Sequence, residues 1–219
     1  WWSSPGTLSY ILWEPRILAR SRLRTAPGAG AAALTPSPSP ALYVRLPNWV
    51  GDVCMSLPSL EALLATGLPV VACARPWARD LLAAYPLAGF VPMKGAWRAD
   101  RAAVRNARRQ APLGRPLGLL LPDSLSSALV FRFAGIPCAG YRDDGRSLIL
   151  RWPCAKPAGP LHAVQSWYHL TRRALAQWRL PEPPPQPADE LRWQAAAAHE
   201  DEAARALSGE GLANGGFVL

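Results

Sequence analysis

The chain has 219 residues, half of them hydrophobic and 18% charged, which excludes a disordered polar chain and a fibrous repeat. Lysine and arginine number 24 against 15 acidic residues, and the formal net charge is +9. This balance favours an anionic partner: nucleic acid, an acidic membrane face, or a phosphorylated or carboxylated small molecule. No apolar run reaches the roughly 18 residues of a membrane-spanning helix. The four cysteines form no CxxC pair, so we expect small buried side chains in a reducing compartment and no metal site.

Residues 1–40 differ in composition from the rest of the chain. They combine an arginine-rich stretch with runs of alanine, glycine, serine and proline. The segment lacks a charged region ahead of an apolar core, so it is a poor secretory signal. We predict that it is a disordered or spurious extension, with contact to anionic lipid as the alternative.

From residue 41 onward, β-prone apolar runs alternate with segments of helical period. The predicted strands lie at 42–46, 69–74, 90–93, 116–121 and 138–141, and the predicted helices at 53–66, 77–85, 99–110 and 124–134. Alternation of this kind is typical of an α/β fold, a Rossmann-like parallel sheet with helices on its faces.

The remaining sequence predicts a turn, a long helix and a stiff connection. Asp144-Gly145 lies between two β-prone runs and predicts a hairpin. A helix is expected over 161–178, and the prolines that follow predict a linker over 181–194. Residues 195–219 then resemble the start of another α/β unit, with a helix over 195–207 and a strand at 217–219.

The loop after the first strand is the first candidate site. In open α/β sheets, ligands bind beyond the carboxyl ends of the strands. Here the loop contains Asn48, and Gly51 and Asp52 stand at the start of the next helix. Asp52 could cap the helix, as aspartate often does. It could also act as a general base that takes a proton from a sugar hydroxyl, and the two roles are compatible.

Two ordered blocks of sequence carry a resemblance to a known family. The first is YVRLPNWVGDV followed by MSLP, residues 43–53 and 55–58, and the second contains LPDS, SAL, FAGIP and GYR between residues 121 and 142. Together they resemble the lipopolysaccharide heptosyltransferases of glycosyltransferase family 9, particularly the heptosyltransferase II type. The resemblance covers roughly residues 42–180.

The resemblance implies a GT-B glycosyltransferase of two Rossmann-like domains. Residues 41–180 would be the amino-terminal, acceptor-binding domain, and the carboxyl-terminal nucleotide-sugar domain would be truncated. The implied reaction is an inverting transfer of heptose from ADP-heptose to the inner core of lipopolysaccharide, without metal or cofactor. The family's catalytic base matches Asp52, within the Gly51-Asp52 pair. The implied location is the cytoplasmic side of the inner membrane of a Gram-negative bacterium, in peripheral contact with it and without nucleic acid.

The resemblance also implies residues that contact the acceptor, a lipid A core oligosaccharide with carboxylates and phosphates. Arg142 and Arg146 could present guanidinium groups to these anions, or they could pair with Asp143 and Asp144 on a solvated hairpin. His162 resembles a family histidine at a helix start, where a structural role is the alternative. Asn48, Gly51 and Ser124 would lie at the same edge of the sheet and complete the acceptor site.

Three departures from the family pattern limit this interpretation. Asp123 stands where asparagine is usual and Ser126 where lysine is common, so the acceptor site would be more negative. The glycine-rich stretch at 209–216 lacks the spacing of a phosphate loop, so the donor ADP-heptose would bind mainly to the missing domain. We therefore expect this chain alone to be inactive. The alternatives are the same enzyme class with a different heptose acceptor, or a non-catalytic basic module that binds anionic membrane or nucleic acid.

Overall fold

A computed structural model describes residues 39–110, 114–143, 145–187 and 193–209 of the chain. The elements in these ranges are, in chain order, β1 (Ala41–Arg45), α1 (Val50–Met55), α2 (Leu57–Leu64), β2 (Val70–Ala74), α3 (Ala78–Leu81), β3 (Gly89–Pro92), α4 (Trp97–Gln110), β4 (Pro116–Leu120), α5 (Leu125–Ala134), β5 (Cys138–Tyr141), β6 (Trp152–Cys154), α6 (Ala163–Trp178) and α7 (Ala197–Gly209). A short 3-10 helix, Arg146–Leu148, lies between β5 and β6.

The strands form one parallel sheet with the order β3-β2-β1-β4-β5-β6. β1 is central: it pairs with β2 on one side, where Leu42 faces Val70, and with β4 on the other, where Ala41 faces Pro116. The strand order therefore reverses between β1 and β4, which makes this the topological switch point of the sheet. The α/β prediction and all five predicted strands are confirmed, and β6 is an addition.

Both faces of the sheet are covered by helices, because its strands are apolar on both sides. On one face Leu42, Val44 and Leu46 pack with side chains of α1, α2, α3 and α6. On the other face Tyr43 packs with side chains of α4 and α5. Successive residues of β1 thus contribute to opposite cores, as the two-residue period of a strand requires.

The helix predicted at 53–66 is two helices, α1 and α2, separated at Ser56. Pro58 occupies the first turn of α2. A proline has no backbone N–H, so it cannot donate to the carbonyl four residues earlier, and its ring crowds that carbonyl. One continuous helix is therefore interrupted where the proline enters.

The predicted hairpin at Asp144-Gly145 is wrong, since β5 and β6 are parallel and Gly140 faces Pro153. Asp144 lies outside the described residues. Gly145 has a φ of 73°, and the run that follows forms the 3-10 helix where the second hairpin strand was expected. Gly145 does adopt a turn conformation, as predicted. The chain then returns to the edge of the sheet where β5 begins, so β6 runs parallel to β5.

The described residues after α6 are mostly without regular structure until α7. Residues 181–187 lack helix and strand, and Arg172 of α6 forms an ion pair of 3.3 Å with Glu182. Trp193 donates its indole N–H to the carbonyl of Leu81, at 2.9 Å. The predicted strand at 217–219 and the extension up to residue 38 lie outside the described residues. The domain boundaries at 40, 180 and 194 stay predictions.

Within the described ranges, no helix is both long and apolar enough to cross a membrane. The four cysteines, Cys54, Cys73, Cys138 and Cys154, are free thiols, and all but Cys54 are buried. Burial raises the pKa of Cys73 to about 12, so its thiol stays protonated. The expectation of small buried side chains is confirmed for three of the four.

Candidate active site

The carboxyl ends of β1 and β4 bring two loops together at the switch point. The loop after β1 carries Asn48 and leads into α1 with Gly51 and Asp52, while the loop after β4 carries Asp123 and Ser124. Because β1 and β4 are paired in parallel, both loops leave the same edge of the sheet. The sequence prediction that these residues share an edge is therefore met by the strand order.

Asp52 lies in the first turn of α1 and is half-buried. The residue that caps α1 is Trp49, and no side chain caps this helix end, so the interpretation of Asp52 as a cap is wrong. Among the described residues, its carboxylate has no hydrogen bond or ion pair. The helix dipole still favours a carboxylate here. An unpaired carboxylate at the start of a helix is free to accept a proton, which is the chemistry of a general base.

Gly51 precedes Asp52 on the exposed side of α1. Its φ lies outside the left-handed region, and a Cβ added to it would meet nothing within 4 Å. Neither backbone conformation nor packing therefore requires glycine at this position. What the missing side chain does provide is open space on this exposed side of the helix.

Arg45, the last residue of β1, fixes the position of Asn48. Its Nη2 donates to Asn48 Oδ1 at 2.6 Å, and its Nη1 donates to the carbonyls of Leu46 and Cys73. The side chain is 5% exposed, and burial lowers the pKa of the guanidinium. Arg45 was not predicted as a site residue, although an arginine inside the apolar run ALYVRL was a usable signal.

The loop after β4 is held by an ion-pair network that sequence reasoning did not predict. Arg146 Nη2 lies 2.7 Å from Asp123 Oδ1. Lys156 Nζ lies 2.7 Å from the other oxygen of Asp123 and 2.6 Å from Asp143 Oδ2. These two carboxylates raise the pKa of Lys156 above its ordinary value. The negative charge that Asp123 was expected to add to the site is thus balanced by two cations.

Arg146 is fully buried, so the prediction that it presents its guanidinium to an acceptor is wrong for this structure. Besides Asp123, its side chain donates to the carbonyls of Pro122, at 3.2 Å, and Asp143, at 3.3 Å. Arg146 therefore ties the loop after β4 to the loop after β5. Arg142 is exposed and forms no ion pair within the described part of the chain, so its role as an acceptor contact stays a prediction.

Ser124 and His162 both cap helices. Ser124 accepts from the backbone N–H of Ser127 at 3.3 Å and caps α5, and its hydroxyl lies 2.8 Å from that of Ser126. His162 caps α6 through Nδ1, which accepts from the N–H of Val164 at 3.4 Å. His162 therefore has the structural role of a helix cap, and its role as an acceptor contact stays a prediction. In the described residues, no group of three or more metal-ligating side chains is found.

Comparison with known proteins bears on the family and on the fold. Residues 114–213 match the family model of glycosyltransferase family 9, the heptosyltransferases. Among solved structures, the E. coli ADP-heptose LPS heptosyltransferase II matches over 80% of this chain and 51% of its own, with 26% identity and a TM-score of 0.56. The matched stretch, residues 114–213, is thus similar to glycosyltransferase family 9, and we call it the family 9 region.

Two further solved structures share the fold of the family 9 region and its surroundings. A family 9 glycosyl transferase from Veillonella parvula matches with 13% identity and a TM-score of 0.62, over 80% of this chain and 50% of its own. E. coli heptosyltransferase WaaC, with ADP-2-deoxy-2-fluoro heptose, matches with 19% identity and a TM-score of 0.53, over 67% and 51%. The chain therefore spans about half the length of these structures, and over that half its α/β fold is that of GT-B glycosyltransferases.

The family 9 region begins just before β4 and includes the ion-pair network and the cap of α6, whereas Asp52 precedes it. A comparison with curated proteins found no match.

Proposed function

We propose that this chain supplies the acceptor-binding half of an inverting heptosyltransferase, which transfers heptose from ADP-heptose to the inner core of lipopolysaccharide. The family match and the likeness to heptosyltransferase II support the enzyme class. WaaC has been solved with ADP and with an ADP-heptose analogue, which supports a nucleotide-sugar donor. Since the chain spans half the length of these structures, the donor would bind chiefly to the other half.

The observation that carries the proposal is the unpaired Asp52 carboxylate at the switch point. In an inverting transfer, an acceptor hydroxyl attacks the anomeric carbon and ADP leaves in the same step. The hydroxyl must lose a proton as the new bond forms, and a carboxylate within hydrogen-bond reach accelerates this. Asp52 would take that proton, while Asn48, Gly51, Ser124 and Arg142 would contact the acceptor and Arg146 would hold the acceptor loops.

The charge of the chain fits this acceptor and its location. A lipid A core oligosaccharide carries phosphates and carboxylates, and a surface of net charge +9 attracts such anions. The enzyme would act in the cytoplasm, at the surface of the inner membrane where the acceptor lipid is anchored. Neither a metal nor a cofactor is part of the proposal, because leaving ADP could be stabilised by hydrogen-bond donors of the other half.

Asp52→Ala tests the assignment of the base. In the complete reading frame that contains this chain, we expect kcat for ADP release from ADP-heptose to fall by about 10²–10⁴-fold, the usual loss with a general base. The KM for ADP-heptose should change little, because the donor is held elsewhere. Asp80→Ala, an exposed carboxylate in α3, is the matched control and should leave kcat unchanged. Unchanged turnover in Asp52→Ala would refute the assignment.

A further inference from the structure

Helix α4 gathers five arginines on one flank. At about 100° per residue, Trp97 and the arginines fall within about 120° of the helix circumference. The arginines are Arg98, Arg101, Arg105, Arg108 and Arg109. The arc that adjoins it on the Trp97 side contains Asp100 and Val104, which are buried. The arginines are therefore concentrated on one side of the helix instead of surrounding it.

The acidic residue of α4 does not neutralise this flank. Asp100 is 6% exposed, and its two oxygens accept from the backbone N–H groups of Lys94, at 2.7 Å, and Gly95, at 2.9 Å. The adjacent helix α5 contains no acidic residue and adds Arg132, which is exposed. The surface over α4 and α5 is thus strongly cationic.

Two exposed aromatic rings lie beside the arginines. Trp97 is 46% exposed and Phe133 of α5 is 56% exposed, and their ring centroids are 6.3 Å apart. The Arg101 guanidinium lies 5.7 Å from the Trp97 ring centroid. We call Trp97, Phe133 and the arginines of α4 the α4 surface. Aromatic rings next to arginines are the combination found where proteins meet the headgroup region of a bilayer.

We propose that the α4 surface binds the face of an anionic phospholipid bilayer. The exposed Arg98, Arg105 and Arg109 would contact phosphate groups while Trp97 and Phe133 enter the headgroup region. Arg108 donates to the carbonyl of Ala134 at 3.3 Å and Arg101 lies over Trp97, so these two join α4 to its surroundings. A nucleic acid fits less well: the two rings already pack on one another at 58°, so their faces are not open platforms for bases. The proposal goes beyond sugar transfer and is argued only from the residues of the α4 surface. It would also explain how the enzyme is held near a lipid-anchored acceptor.

The test is co-flotation of the full chain with vesicles. The vesicles contain phosphatidylcholine alone or mixed with phosphatidylglycerol, so lipid A is absent and only the bilayer is probed. The variant Arg105→Glu/Arg109→Glu changes two exposed side chains of the α4 surface. Each arginine near an anionic surface contributes about fivefold in binding, so the double reversal should weaken binding at least about 25-fold.

The matched control is Arg151→Glu/Arg205→Glu, which makes the same change in net charge at exposed positions away from α4. Arginines at 16, 20, 22 and 24 remain in both variants and contribute equally. Binding that needs phosphatidylglycerol, and that only the α4 variant loses, would support the proposal. Equal loss in both variants, or equal binding to neutral vesicles, would overturn it.

Phe133→Ser tests the aromatic part and should reduce vesicle binding without removing its dependence on salt. Thermal unfolding by circular dichroism verifies that each variant is folded. A duplex or single-stranded oligonucleotide is measured in parallel. If the α4 variant loses tight oligonucleotide binding and vesicle binding is absent, the surface is a nucleic-acid site and the bilayer proposal is refuted.

Discussion

The glycine at position 51, which precedes Asp52, is not required by the fold. An alanine in place of Gly51 would meet no neighbour within 4 Å and would adopt the same backbone conformation. Glycine inside a helix costs about 0.5–1 kcal/mol relative to alanine. A glycine here thus lowers helix stability without a structural requirement. If the acceptor binds at the start of α1, glycine leaves this exposed side of the helix open to it.

Gly51→Ala separates these effects. We expect the free energy of unfolding to rise by up to about 1 kcal/mol. We expect kcat/KM for the acceptor to fall, because the methyl group enters open space at the start of α1, where the acceptor is proposed to bind. Unfolding in urea and steady-state kinetics measure the two quantities.

The control for this variant is Gly67→Ala. Gly67 also has nothing within 4 Å of an added Cβ, but its φ is 71°. Alanine is strained in that conformation, so we expect lower stability and unchanged kinetics. If Gly51→Ala left kcat/KM at its original value, Gly51 would have no part in acceptor binding.

At the scale of elements, the loops after β4 and β5 behave as one unit because Arg146 joins them. Its guanidinium contacts Asp123 and the carbonyls of Pro122 and Asp143 from a fully buried position. A buried cation with several partners is costly to remove, since each partner is left without its hydrogen bond. Lys156 contacts the carboxylates of Asp123 and Asp143 from a position that is 45% exposed, where an ion pair contributes little.

Arg146→Met and Lys156→Met should therefore differ in stability. We expect Arg146→Met to lower the free energy of unfolding by about 2–3 kcal/mol, and Lys156→Met by less than about 1 kcal/mol. Urea unfolding of both variants gives the comparison. Equal losses would show that burial of Arg146 does not stabilise the loops more than the surface pair does.

The same region shows where prediction from sequence ends. The strands were predictable because a short continuous apolar run, such as 138–141, indicates a strand that is buried on both faces. This signal lies within the run and needs no information about its partners. The chain path at Asp144-Gly145 was not predictable in this way, because local turn chemistry was outweighed by contacts of Arg146 with residues 23 and 24 positions earlier. Asp52 could be found from its place after β1. Arg45 left a local signal, as an arginine inside an apolar run, whereas Lys156 depends on Asp123 and Asp143 in other loops, which no local pattern reveals.

At the scale of the whole molecule, α6 and the proline-rich residues that follow it enclose a groove of about 260 Å³, lined in part by Tyr168, His169 and Pro185. Burial, followed by the charges of Arg173 and Arg172, lowers the pKa of His169. In the unfolded chain this pKa returns to about 6.5. The unfolded state therefore binds the proton first as pH falls, and stability decreases with it.

We accordingly expect His169 to make unfolding pH-dependent. Its contribution should be complete above about pH 6.5 and should be lost as pH falls through the folded-state pKa. The unfolding free energy of the native chain minus that of His169→Gln, measured in urea, should become smaller as pH falls from about 7 to 5. A difference that is the same at every pH would contradict the assignment.

The pairing of β1 with β4 also has a consequence for the order in which the molecule can form. Ala41 lies opposite Pro116, a separation of 75 residues along the chain, and the other strands of the sheet are likewise parallel to their neighbours. During synthesis, β1 emerges first but has no partner on its β4 side until residue 116 is made. Contacts between residues so far apart form slowly, because a long loop must close before they stabilise anything. Until then the centre of the future sheet is an open edge, which is the kind of surface that chaperones protect and that aggregation exploits.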